Sequence, residues 1–155
     1  SITPDVVTTA KGLGNGFPIG ACLVHGKASH LFKAGNHGST YGGTPLACRA
    51  ALAVVQLLQQ GAIDNAAVMG ARMINAFQET LGDLGVKVTG HGLMIGLHLP
   101  KPCAELVGKA RDQEKLLLNV TADNVVRLLP ALIVTAEEAD EIVQRVSRLV
   151  RNFLS

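Results

Sequence analysis

Aromatic residues are nearly missing from this sequence: none of its 155 residues is tryptophan, one is tyrosine and four are phenylalanine. With so few rings to stack on bases, and with 14 basic and 12 acidic residues scattered without a basic block, a nucleic-acid module is disfavoured. Charge is also scarce, 17% of residues against roughly 25% in an average soluble chain. The strongly apolar runs, such as ALAVV and LLPALIV, fall far short of the roughly 18 residues that cross a bilayer. Cys22, Cys48 and Cys103 lie far apart without CxxC spacing, which fits reduced thiols in a cytoplasmic protein. His25, His30, His37, His91 and His98 have neither a helical glutamate partner nor cysteine company, so no metal site is expected. The chain opens without a basic and then apolar leader, and its abrupt first residues suggest a start that is not the natural one.

What remains is apolar: 48% hydrophobic residues and a mean hydropathy of +0.30. In a soluble chain of one-domain size this points to apolar surface covered by something else.

Glycine, by contrast, is abundant, with 17 residues. Val6–Ala10 reads as a short buried strand, ended by the glycines of KGLGNGFPIGA, and Ile19–Val24 as a second strand. A short helix is expected over Lys27–Lys33. Thr44 then serves as N-cap and Pro45 as first residue of a helix stopped by Gly61, and a second helix runs from Ile63 to Thr80. After Gly82 the texture changes. GVKVTGHGLMIGLHL predicts two antiparallel strands, followed by a helix over Cys103–Gln113, short strands over Leu116–Val120 and Val125–Leu128, and a last helix announced by a capping box at Thr135 and Glu138. The pattern suggests a small α+β lobe beginning near Gly85.

Three places invite chemistry. The glycines around Lys11 fit neither phosphate-loop fingerprint, because Phe17 stands where GxGxxG needs its third glycine and no GK[ST] follows. Lys11 itself, at the end of a buried strand, would be poorly hydrated and could supply a free amine for a Schiff base; a solvated strand-end lysine is the alternative. The loop NHGSTYGGTP offers the Ser39 and Thr40 hydroxyls and glycine-freed N–H groups, suited to a phosphate or carboxylate, or to a plain turn. Arg127 lies in the apolar run NVVRLLP and needs a carboxylate partner, either a structural one or a substrate's.

Taken together, PDVVTTAKGLGNGFPIGA, HGSTYGGTPLACRAALAVV and VVRLLPALIVTAEEADE resemble the class III aminotransferases, pyridoxal-phosphate enzymes of fold type I, and above all their acetylornithine-type members. The likeness covers nearly the whole chain. It implies an α/β fold: residues 1–84 as the end of the PLP-binding large domain with its connecting helix, and 85–155 as the C-terminal α+β small lobe. In that family the lysine at the place of Lys11 carries the cofactor and moves the proton. Thr40 would reach the cofactor phosphate of the neighbouring subunit of a homodimer, Ser39 would border the substrate, and Arg127 would meet a carboxylate. The implied reaction is transamination of N-acetylornithine with 2-oxoglutarate in arginine biosynthesis. Ornithine, succinylornithine, succinyldiaminopimelate and 4-aminobutyrate are the alternative donors. The family's phosphate-binding turn, ring-stacking aromatic and ring-nitrogen aspartate precede its lysine and have no counterpart here. The resemblance therefore implies a C-terminal portion of a longer enzyme, and a 155-residue chain that is inactive by itself.

Overall fold

The computed structural model describes residues 2–155, which pack as two units, one ending at Gln60 and the other spanning Gly61–Ser155.

The first unit holds a two-stranded antiparallel ribbon, β1 (Val6–Thr9) and β2 (Ala21–Val24), with Thr8 opposite Cys22. Both strands are exposed: Val6 and Val7 are 48% and 43% accessible, and Leu23 is 56%. The expected buried strand is therefore a strand with uncovered apolar faces. β-branched residues favour the extended chain whether or not anything packs on them. A 3₁₀ segment, Gly26–His30, replaces the expected helix over Lys27–Lys33. Helix α1 (Pro45–Leu57) starts on proline as expected, but the Thr44 hydroxyl makes no capping bond; only its carbonyl accepts, from Cys48 N–H at 3.0 Å.

Gly61 does not end the helical path. It sits at φ +117° inside a π turn, Leu58–Ala62, and helical residues resume in α2 (Ile63–Leu81). The widened turn absorbs the glycine instead of terminating on it. Between Pro45 and Leu84 an 18-residue window reaches a mean hydropathy of 1.3 and is 6% buried, enough by length and composition for a membrane span. Leu46, Leu52, Val54, Val55, Leu57, Leu58 and Ile63 raise that value, with alanines interspersed among them. Arg49, Gln56, Gln59 and Gln60 interrupt it.

In the second unit, α2 and the C-terminal helix α4 (Ala136–Leu154) cover one face of a four-stranded antiparallel sheet. Its strands are β3 (Lys87–His91), β4 (Met94–His98), β5 (Asn119–Thr121) and β6 (Val125–Leu128), ordered β3-β4-β6-β5. The texture change at Gly85 falls inside this unit, between α2 and the sheet. Alternation along the strands turns Ile95, Leu97, Val126 and Leu128 inward, against Met73, Phe77 and Leu81 of α2 and Val143, Val146 and Val150 of α4. The expected helix after Cys103 is a single turn, α3 (Leu106–Lys109), running into a π turn, Ala110–Glu114, that Lys115 ends in the left-handed conformation.

Spacing makes α4 amphipathic, and its start is fixed as expected. Thr135 Oγ1 accepts from Glu138 N–H (3.2 Å) while Glu138 Oε2 accepts from Thr135 N–H (2.9 Å). Charged pairs tie the helix down. Arg148 donates twice to the buried Glu114 (2.9 and 2.5 Å), and Arg72 of α2 donates twice to Asp140 (2.7 and 2.6 Å). The hydrogen bonds from Arg148 and Arg72 hold the Glu114 and Asp140 carboxyls below their ordinary range. Their stabilisation is thus fully present above the unfolded carboxylate value and fades as pH falls through the lower folded one. The urea midpoint of the second unit should drop as pH falls below about 4.3, with Glu114→Gln and Asp140→Asn each flattening the drop. An unchanged pH slope in both variants would refute the assignment.

Candidate active site

Lys11 follows β1 directly and opens the 3₁₀ turn Lys11–Leu13. Its φ of 51° lies in the left-handed region, where a side chain with a Cβ is strained by about 1–2 kcal/mol. The strain is held by consecutive turns. Leu13 N–H donates to Ala10 O (3.0 Å), Gly14 N–H to Lys11 O (3.2 Å), Asn15 N–H to Gly12 O (3.2 Å) and Phe17 N–H to Gly14 O (3.1 Å). Gly14 is obligatory here, since a Cβ would lie 2.0 Å from Phe17 O. Asn15, in the same series of turns, is left-handed as well, at φ 46°.

The Lys11 side chain borders two shallow hollows, one walled by Thr8, Thr9 and Ala10, the other by Gly16, Phe17, Pro18 and Ile19. It is exposed. Desolvation by a buried strand, expected from the sequence, is thus not supplied by β1, whose faces are open.

The loop before α1 curls on itself: Ser39 Oγ accepts from Gly42 N–H at 2.9 Å, and Gly43 takes φ +71°. The Ser39 hydroxyl proton stays free to donate outward. Ser39 lines a hollow of about 410 Å³ with His37, Tyr41 and Pro18–Gly20. Pro18 and Ile19 therefore wall both the Ser39 hollow and a Lys11 hollow. Thr40 is exposed, lines neither, and makes no side-chain hydrogen bond among the described residues. From the sequence His37 is expected only to bind no metal, and Tyr41 carries no expectation; both line this hollow.

Arg127 lies in the second unit on β6, opposite Gly96 of β4 and Asn119 of β5. Val126 and Leu128 point into the core, so Arg127 faces out, and it joins no ion pair among the described residues. Of its two expected partners, the structural carboxylate is not found there.

The family model for class-III aminotransferases matches residues 1–150. The chain belongs to this family. The match takes in Lys11, Ser39, Thr40 and Arg127, and also the apolar helical stretch from Pro45 to Leu84. Among class-III relatives, the acetylornithine aminotransferase of Nitrosomonas europaea is 49% identical over 99% of this chain, which spans 39% of that protein. Among solved structures, Plasmodium falciparum ornithine δ-aminotransferase superposes with a TM-score of 0.89 at 31% identity, over 99% of this chain and 40% of its own. An ornithine aminotransferase from Toxoplasma gondii, crystallised with oxidised glutathione and described with partial occupancy of PLP at its active site, gives 0.90 at 27% identity, over 97% and 37%. The chain thus spans about two fifths of the length of the relatives it matches. It is an α/β, acetylornithine-aminotransferase-like member of the family.

Proposed function

We infer that this chain supplies part of the active site of an enzyme that transfers the side-chain amino group of N-acetylornithine to 2-oxoglutarate with pyridoxal 5'-phosphate. The observation that carries this reading is the near-complete alignment, at almost half identity, with a bacterial acetylornithine aminotransferase. Residues 1–84 then belong to the end of the cofactor-binding domain and its connecting helix, and 85–155 to the C-terminal lobe.

The residues present fit the cofactor in one respect that the structure itself supports: an amine on a strained, turn-pinned backbone position, bordered by hollows on two sides. Bound PLP would supply the electron sink that amino-group transfer requires. The chain's own part is narrower. Lys11 would hold the cofactor through Nζ, water leaving as the amine condenses with its carbonyl carbon, and would take and return the proton, because a lysine amine is both nucleophile and base once uncharged. Ser39, with its free hydroxyl proton, orients a substrate oxygen. Thr40, exposed on its loop, would meet the phosphate of the cofactor held by the second subunit of a homodimer. Arg127 holds a substrate carboxylate by two parallel N–H donors.

Ornithine is the second reading, favoured by the close superposition on ornithine aminotransferases. Acetylation removes the α-ammonium charge, so the two donors differ by a group that a site must either pair or leave unpaired. In the full-length enzyme carrying this sequence, kcat/KM for N-acetylornithine should exceed that for ornithine and for 4-aminobutyrate by about tenfold or more. Initial rates at fixed 2-oxoglutarate measure this, and equal values would overturn the assignment.

A further inference from the structure

We propose that Gly96 and Thr89 are specificity-determining residues for the carboxylate that Arg127 reads, together forming a recognition row across the open face of the four-stranded sheet. Pairing puts Thr89 of β3 opposite Gly96 of β4, Gly96 opposite Arg127 of β6, and Arg127 opposite Asn119 of β5. The four residues therefore share one line and one face, the face that α2 and α4 leave uncovered. Thr89, Arg127 and Asn119 are exposed.

The fixed charges at the outward strand positions, Lys87 and Arg127, have one sign. The outward strand positions include Lys87, His91, His98 and Arg127, and no strand residue of the sheet is acidic. An anion is the ligand such a surface lacks.

Gly96 gives the row its shape. Two strand spacings separate the Thr89 and Arg127 backbones, about 9.5 Å, and the residue between them has no side chain. A planar carboxylate can then sit above Gly96, outside the Thr89, Val125 and His98 side chains that border it, with the guanidinium on one side and the threonine hydroxyl on the other. Thr89 Oγ1 lies 2.8 Å from His98 Nε2 and donates a long bond, 3.5 Å, to Gly96 O, with a proton that it can turn to a carboxylate instead. A Cβ at Gly96 would meet Thr89 Oγ1 at 3.2 Å, Val125 Cγ1 at 3.4 Å and His98 Nε2 at 3.7 Å. Alanine is therefore tolerated by the sheet but intrudes on the ligand's place and displaces the hydroxyl.

The inference rests on the reading of Arg127 as a receiver of substrate carboxylate, but its test does not involve transamination. The ¹⁵N-labelled full-length enzyme carrying this sequence is titrated with glutarate, an unreactive dicarboxylate, and amide shifts are followed. Saturable changes are expected at Thr89, Gly96 and Arg127. Gly96→Ala and Thr89→Val should each weaken binding, Gly96→Ala by about tenfold, with amides of α2 and α4 unmoved. No shifts at millimolar glutarate, shifts confined to other residues, or unchanged affinity in Gly96→Ala would each overturn the proposal. Loss of donor preference in the full-length enzyme would refute the substrate assignment alone and leave this titration unaffected.

Discussion

Lys11→Ala should abolish the visible absorbance that pyridoxal phosphate acquires on forming an imine with the protein, and in the full-length enzyme should lower kcat by about 10²–10⁴-fold or more. The alanine removes the only atom at that position able to bond to the cofactor's carbonyl carbon. Arginine should not substitute, because a guanidinium stays protonated and offers no free amine. Lys27 and Lys33, in the same unit, are the natural controls. If the absorbance persists in Lys11→Ala, the imine forms at such surface lysines and the assignment of Lys11 fails. A companion variant separates chemistry from folding. Lys11→Gly should be inactive yet more stable than Lys11→Ala by about 1 kcal/mol, since glycine accepts a φ of 51° without the Cβ clash. Denaturant midpoints of the two variants measure the difference.

Gly70→Ala should destabilise the second unit by about 3 kcal/mol or more, although alanine is the better helix former by about 1 kcal/mol. Gly70 lies mid-helix in α2 at the point where the β3–β4 turn touches it. A Cβ there would stand 2.1 Å from Gly92 O and 2.3 Å from Gly92 C. Those are backbone atoms of a tight turn, with Gly92 itself at φ +53°, so no side-chain rotation relieves the contact. The helix or the hairpin must move, and both carry core residues, Met73 and Phe77 on one and Leu93 and Ile95 on the other. Overpacking therefore outweighs propensity. A urea midpoint equal to or above that of the parent chain would show that the hairpin yields more easily than this.

The parts legible in the sequence are those encoded by near neighbours. Thr135 and Glu138 are three residues apart and announce α4; valine and isoleucine alternation announces β3 and β4. Lys11 was legible as a candidate, but its environment was not. A β-branched run states that the backbone is extended, not that the strand is covered, so Val6 and Val7 were expected inside and stand half exposed. Gly61 has the look of a helix stop, and only the geometry of the π turn reveals that helical residues resume past it. The contact of Gly70 with Gly92 joins residues on different elements, and the line from Thr89 through Gly96 to Arg127 depends on strand register. Neither distance along the chain nor periodicity carries that information.

The turns around Lys11 also decide how the amine can move. With its backbone locked by hydrogen bonds on both sides, the residue cannot follow a ligand by shifting its main chain, and only the four-carbon stem can swing. The amine is thus on a short tether with a fixed anchor. Hollows lie on two sides of that anchor, so a rotation of the stem alone would carry Nζ from one to the other, and a proton taken on one side could be given back on the other. The turn hydrogen bonds, which hold Lys11 against its backbone strain, keep the anchor still while the tip travels.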